Sequence, residues 1–573
     1  MEPVSTRHWV PRSSEAVAER EGELARALDL TTLTARILLA RGIASPDEAR
    51  FFIDGKLADL PDPFTLLGME SAVARLLRAW RRQERVRIHG DYDVDGITAT
   101  ALLTEGFSQL GLQVDYHIPL RLKDGYGLSV EALETAVAEG VAVVVSVDCG
   151  VSAVAEAERA RELGLDLIVT DHHQVPEKLP RAHALINPHQ PGCPFPFKDL
   201  AGVGVAFFLL VALRKALREA GAFAESKEPD LRRLLDLVAL GSIADLVPLT
   251  GLNRLLTRIG LQLLDKQPRP GIHALRQVAA VDKVTCGTVG FRLAPRLNAA
   301  GRLEDAALGV QLLLGREASA CLELAQLLDG FNRERQAIEK ETLEQAVATL
   351  EAGRETATHS IVLADARWHP GVIGIVASRL VERYHRPTVL ISLDGGQGKG
   401  SARSIRGFHL YQALERCRER LLGFGGHAYA AGLSLAEAEV PEFARAFEEV
   451  AQELLTPEGL HPHLGHDGEL LLEELDSATV GELARLAPFG MGNPEPAFVV
   501  SGVRIQQAAV VGSDHLRFVA RQDGYSLPCI AFGMAARQGE LSGPMDLLFS
   551  PSINEWKGRF DVQLQIKDFR PSA

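Results

Sequence analysis

From about Leu57 to Leu264 the chain alternates between short β-branched runs and helix-length stretches. Val86-Arg87-Ile88, Val114–Ile118, the strongly apolar Val141–Val147 and Leu165–Val169 read as strands. Ile97–Leu110, Ser129–Glu139 and Ala153–Leu163 read as the helices between them. Strand and helix in strict alternation specify a parallel sheet with helices on its faces. The expected fold class is therefore α/β.

The rest of the chain divides by the same reasoning. A length of 573 residues suggests three or four domains. Residues 1–56 read as a small helical segment, with a helix start at Ser45-Pro46-Asp47-Glu48 (Ser as N-cap, Pro at the first turn, Glu three residues on). The parallel-sheet domain occupies 57–265 and a helical connector 266–355. Within that connector, Glu317–Glu351 has helical periodicity and no proline, as a long joining helix would. A second α/β domain spans 356–456, with strands at Ile361-Val362-Leu363 and Thr388–Ser392 and a glycine-rich turn at Asp394–Gly400. Pro457–Gly465 reads as a linker. Five short strands in 466–573 predict a small OB-like β-barrel.

Composition bounds the function. The balance of Lys+Arg 61 against Asp+Glu 75 leaves −14 and excludes a surface that is basic throughout, though not a local basic channel. None of the six cysteines forms a CxxC pair, which points to a reducing compartment. The N-terminus has no apolar core of a secretion signal, and the longest uncharged stretch, Ala201–Leu213, falls short of the roughly 20 residues needed to cross a bilayer. The expectation is a cytoplasmic protein with no membrane partner.

The sharpest local feature is His89-Gly90-Asp91-Tyr92-Asp93-Val94-Asp95-Gly96. Carboxylates at alternate positions repel one another and are costly to cluster without a cation. An EF-hand loop needs a bidentate Glu at its twelfth position; counted from Asp91, that position is Leu102, and a strand rather than a helix precedes the motif. Asp148 follows the strand Val141–Val147, and Asp171-His172-His173 follows Leu165–Val169. All three clusters thus fall at the carboxyl ends of adjacent parallel strands, where open α/β sheets bind ligands. A fourth acid, Asp245, sits among apolar residues in GSIADLVPL and needs a partner there. Many carboxylates, a few imidazoles and no thiolate suit Mn²⁺ or Mg²⁺ better than structural Zn²⁺. More than four ligands point to two divalent ions, and hence to hydrolysis of a phosphoester or phosphoanhydride.

GDYDVDG, VDCGVS, TDHH and GSIADLVPL closely resemble the DHH phosphoesterase family. GSARS (Gly400–Ser404) and GFGGHAYAAG (Gly423–Gly432) resemble the DHHA1 domain that accompanies it, and APFGMGNPEPAF (Ala487–Phe498) resembles the nucleic-acid-binding barrel of the family's single-strand-specific exonucleases. The resemblance covers nearly the whole chain, with the motifs in the family's order. It implies a metal-dependent 5′→3′ exodeoxyribonuclease that releases 5′-mononucleotides and acts in DNA repair and recombination. By the same resemblance, His89, Asp93 and Asp148 hold one ion. Asp95, Asp148, His172 and Asp245 hold the other, with Asp148 bridging. His173 contacts the scissile phosphate, and Asp91 supports the ligands from behind.

Ser401, Arg403 and Ser404 then resemble a pocket for the 5′-phosphate, for which hydroxyls and a guanidinium are suited. Arg121, Arg302, Gly426 and His427 resemble further substrate contacts. Single-stranded DNA is the implied partner, with a single-strand-binding protein and a RecQ-type helicase as family expectations. Six arginines between Arg75 and Arg87, and the aromatics Trp368, Phe498, Phe518 and Trp556, are weaker candidates for DNA contact. Two other readings stay open on the residues: a DHH enzyme for small substrates, and a non-catalytic scaffold. The barrel argues against the first and the full ligand set against the second.

Overall fold

The computed structural model describes residues 7–12, 18–120, 127–352, 358–556 and 559–572. They form two compact units, one comprising Pro11–Asp329 with His466–Ala573, the other Met1–Val10 with Gly330–Gly465.

In the first unit the expected parallel sheet runs in the order Gln113–His117, Arg85–His89, Val141–Val147, Asp166–Thr170, Ala184–Ile186. Every pairing in it is parallel. Val144, Leu167 and Val169 share one core with Leu133, Ala136, Ala157 and Ala160, so the helices Val130–Ala138 and Val154–Glu162 cover that face. The alternate side chains Val143, Val145 and Ile168 point the other way. Three mutually packed, largely buried helices, Val94–Gln109, Gly202–Glu219 and Leu235–Ala244, form the opposite layer. From Arg85–His89 the sheet grows outward in both directions. The crevice of such an α/β sheet opens where the strand order reverses, at the carboxyl ends of Arg85–His89 and Val141–Val147.

The closing strands form a barrel in the order Phe498–Val511, His515–Gln522, Tyr525–Ala531, Arg559–Pro571, Pro544–Trp556. All pairs are antiparallel except Tyr525–Ala531 with Arg559–Pro571. Its interior is continuous with the N-terminal helices: Leu38, Phe52 and Ile53 belong to one core with Phe498, Phe518, Phe549 and Phe569. The expected helix start is present, with Ser45 Oγ accepting from the Glu48 amide and Glu48 Oε2 accepting from the Ser45 amide. Arg254, only 1% exposed, donates to the carbonyls of Phe52, Arg485 and Leu486 and lies over the Phe52 ring. It thereby ties the helix Gly251–Lys266 to the ends of two others, Pro46–Asp54 and Ser477–Ala484.

The second unit holds a five-stranded sheet ordered Gly423–Gly426, Ala430–Ala436, Gln397–Arg403, Thr388–Asp394, Ile361–Asp365. Only its last pair is parallel. The glycine-rich turn is shorter than the sequence suggests. Gly395 and Gly396, with φ of 56° and 78°, close a two-residue hairpin by themselves. Gly398 and Gly400 lie in the returning strand, where Cβ atoms would come within 2.7 Å of Ile391 and 2.5 Å of Leu433. The long helix spans Ala318–Ala352, one residue offset from expectation.

Among the described residues no helix is long and apolar enough to cross a membrane. Trp368, Phe498 and Phe518 are core residues, at most 3% exposed, and offer no face to a base. The Trp556 side chain lies outside what the structure describes. The arginine run is largely spent on ion pairs: Arg75 and Arg78 with Asp166, and Arg85 and Arg87 with Asp115.

Candidate metal centre and substrate contacts

The sheet delivers its polar ends to the crevice. His89 closes one strand, Asp148 follows the next, and Asp171 the one after. Asp148 takes φ +61°, a left-handed conformation that Asp tolerates better than most residues and that marks a site under constraint. Its Oδ1 lies 3.1 Å from His172 Nε2, which is also 3.6 Å from Asp245 Oδ2 and 3.9 Å from Asp95 Oδ2. Three overlapping sets each bring one ligand atom per residue within 4.8 Å of the others: Asp91, Asp93 and Asp148; Asp95, His172 and Asp245; Asp148, His172 and His173. Asp148 and His172 are the residues common to more than one set.

Backbone amides fix these carboxylates. Asp93 caps the helix Val94–Gln109, its Oδ1 accepting from the amides of Asp95 and Gly96. Asp95 accepts from the Gly202 amide at 2.6 Å and the Val203 amide at 2.9 Å, at the start of the helix Gly202–Glu219. Asn298 Oδ1 accepts from the Val94 amide and locks the motif to the helix Ala294–Leu303. Arg302 lies on that helix, next to Gly301, which packs on the Tyr92 carbonyl.

The electrostatics are those of acids brought together without a counter-charge. Burial, then the charges of Asp95, Asp93, Asp245 and Asp91, push the Asp148 carboxyl well above its ordinary range. Burial and neighbouring carboxylates raise Asp95 to about 7 and Asp245 to about 9. Burial and adjacent imidazoles lower His89 to about 4 and His172 to about 3, so both rings are neutral and able to ligate. His89 stands 3.2 Å from the Gly127 carbonyl, with the His117 ring centroid 5.2 Å away. Burial opposes protonation of His173, but the hydrogen bond and charge of Asp171 outweigh it and raise that ring to about 9.

Asp171 is the organising residue that the sequence reading left without a role. Its Oδ1 accepts from the amides of His172 and His173 and lies 2.7 Å from His173 Nδ1, while Oδ2 accepts from the Val151 amide. Its place in the TDHH motif was the available signal. Asn298, four residues from Arg302, was equally within reach.

The residues read as a phosphate pocket belong to the other unit. Ser401 and Arg403 lie on the strand Gln397–Arg403, two apart and so on one face, with Ser404 just beyond. Arg403 Nη1 donates to Ser401 Oγ at 3.1 Å and to the Ala402 carbonyl at 2.8 Å. Ser404 Oγ donates to the Phe408 carbonyl, so its hydroxyl is already engaged. A Cβ on Gly374 would lie 2.8 Å from Ser401 Oγ and 2.9 Å from Arg403 Nη2, which puts the start of the helix Ile373–Tyr384 against the same pair. The register pairs Arg403 with Ala430, and Ala430 in turn accepts from the amide of His427, with Gly426 preceding at φ +144°. Arg121 lies outside the described residues.

Oxygen and neutral imidazole donors, around carboxyls that burial alone would leave protonated, fit divalent cations of the Mn²⁺ and Mg²⁺ type. With a parallel sheet presenting them at its switch point, the fold and site define a DHH-type metallophosphoesterase. Sequence comparison agrees. Residues 85–242 match the DHH family N-terminal domain, 356–453 the DHHA1 domain and 466–568 the RecJ OB domain. The chain is 41% identical to the single-stranded-DNA-specific exonuclease RecJ of Escherichia coli, over 95% of this chain and 96% of that protein. Crystal structures of Thermus thermophilus RecJ superimpose with TM-scores of 0.83 for the Mn²⁺ complex and 0.77 for the Mg²⁺ complex. Both cover 99% of this chain, with 80% and 79% of theirs, at 32% and 30% identity. The chain belongs to the RecJ family.

Proposed function

We propose that the chain is a single-stranded-DNA-specific 5′→3′ exonuclease that hydrolyses phosphodiesters to 5′-mononucleotides. The observation that carries this reading is the Asp148-centred cluster, in which one carboxylate stands beside a neutral imidazole and four further acids. His89, Asp93 and Asp148 would hold one divalent ion; Asp95, Asp148, His172 and Asp245 would hold a second. When bound, such ions activate water and offset the charge that develops on the phosphoryl oxygens.

The protein's own groups do the rest. Gly202 and Val203 amides hold the Asp95 carboxylate in place. Asp171 fixes His173 through Nδ1, so Nε2 is the nitrogen that meets the phosphate. An imidazole N–H there would donate to a phosphoryl oxygen as charge develops in the transition state. Arg403 and Ser401 supply charge-assisted hydrogen bonds for a terminal phosphate. The barrel adds a surface for following strands longer than the crevice. A single-strand-binding protein and a RecQ-type helicase are the partners we propose, and the cytoplasm the place of action.

The test is gel analysis of one oligonucleotide labelled at its 5′ or 3′ end, with Mn²⁺ or Mg²⁺. The 5′ label should pass directly to mononucleotide while the 3′ label passes through shortening intermediates. The reverse pattern, internal cleavage, or equal activity with chelator would overturn the reading.

A further inference from the structure

Two large apolar side chains stand in solvent on segments joined to the metal-site motifs, one next to Asp245 and one just before the helix that carries Asn298. Leu246 directly follows Asp245, is 65% exposed and has φ +60°. A left-handed conformation is unusual for any residue with a Cβ and a genuine outlier for one as bulky as leucine. Its effect is to turn the side chain outward between Asp245 and the apolar Val247. Phe291 is 85% exposed and sits in the π-helical turn Val289–Leu293. Such turns recur at functional sites because they interrupt regular helix packing.

The two positions are linked through helix packing. The π turn packs against the helix Leu235–Ala244, whose end carries Asp245 and Leu246. It also runs directly into the helix Ala294–Leu303, where Asn298 grips the Val94 amide. Seven residues separate Phe291 from Asn298, about 10 Å of helix. Neither side chain serves the core, and neither can ligate a metal or hold a phosphate. Apolar and aromatic faces suit nucleobases, which every sequence presents and which only an unpaired strand exposes.

We propose that Leu246 and Phe291 are base-contact residues for the single strand entering the metal centre, so that part of the preference for unpaired DNA comes from apolar contact with bases. The proposal rests on the single-strand nuclease reading above.

The experiment compares wild type with Phe291→Ala, Phe291→Trp and Leu246→Gly. The substrates are an ordinary oligonucleotide, the same strand with abasic tetrahydrofuran residues at its 5′ end, and bis(4-nitrophenyl) phosphate, a base-free diester. On the ordinary strand, Phe291→Ala and Leu246→Gly should raise KM about tenfold, the lower part of the range for a lost base–aromatic contact, with kcat nearly unchanged. Phe291→Trp should keep the wild-type KM. On the abasic strand all four proteins should share one raised KM, and all should hydrolyse the diester alike. Leu246→Gly should melt no lower than wild type, since glycine relieves the left-handed strain. Equal losses on abasic and ordinary strands, a Phe291→Trp variant as impaired as Phe291→Ala, or variants slowed on the base-free diester would overturn the proposal. A wild type that hydrolyses the diester but no DNA would overturn the nuclease reading, and this proposal with it.

Discussion

Replacing Gly202 by alanine tests the metal centre without touching a ligand. A Cβ at Gly202 would lie 2.5 Å from Asp148 Oδ1 and 2.8 Å from its Cβ and Cγ. Ordinary non-bonded contact begins at roughly 3.5 Å, so the carboxylate or the helix must yield by about 0.5–1 Å. The backbone of Gly202 is not left-handed, so the added methyl acts through space alone. Overpacking costs about 1–3 kcal/mol, offset by about 0.5–1 kcal/mol for alanine in a helix, so the fold should survive with a slightly lower Tm. Catalysis is less forgiving: a misplacement near 1 Å costs up to about a hundredfold, or about 2.7 kcal/mol of transition-state stabilisation. Single-strand hydrolysis across a Mn²⁺ titration should therefore show kcat/KM down about 10- to 100-fold and a weaker metal response. Gly204→Ala is the control two residues on, where the new Cβ meets Leu200 at an ordinary 3.4 Å and activity should not change. A Gly202→Ala enzyme with wild-type activity and metal affinity would refute the placement of Asp148.

Three further outcomes are expected. Asp95 and Asp245, raised to about 7 and about 9, favour the folded metal-free protein only while protonated. Its Tm should fall as pH rises from the ordinary carboxylate value of 3.8 up to those folded values and then level off, and excess Mn²⁺ should abolish the fall, as read by differential scanning at several pH values. Arg403→Ala should cost roughly 1.5–3 kcal/mol on 5′-phosphorylated strands at sub-saturating concentration and much less on 5′-hydroxyl strands; equal losses would make Arg403 a general backbone contact. Arg254→Met should destabilise by about 3–5 kcal/mol in urea unfolding, because the carbonyls of Phe52, Arg485 and Leu486 lose a charged donor.

The parallel sheet was legible because its inner strands are buried on both faces and read as unbroken apolar runs such as Val141–Val147. The acidic cluster was legible because acids crowd at strand ends only where something offsets their charge. Contacts that depend on three-dimensional register were not. Nothing in one dimension separates an arginine that meets DNA from Arg87, which meets Asp115 across two neighbouring strands. Phe518 alternates like any barrel residue, and only closure of the barrel decides that its ring points inward. The turn at Asp394–Gly400 reads as longer than it is because its four glycines suggest a loop. Two of those glycines are small to admit Ile391 and Leu433 rather than to bend the chain. Asp171 stands in its motif without a role of its own in the sequence, because its work is to hold His173, a task visible only as geometry.

The division of the chain has a consequence for how the protein is made. The unit with the metal centre is built from two stretches, Pro11–Asp329 and His466–Ala573, while the other unit draws almost wholly on Gly330–Gly465. On a ribosome the second of these units is complete once residue 465 has emerged. At that moment Arg254 still lacks its carbonyls at Arg485 and Leu486, and the N-terminal helices still lack the barrel half of their shared core. The nascent chain therefore carries its metal ligands long before it can hold them rigidly. The catalytic unit is completed only once the barrel strands have been made, and a chain cut short within the barrel carries a well-formed insert on an unfinished catalytic body.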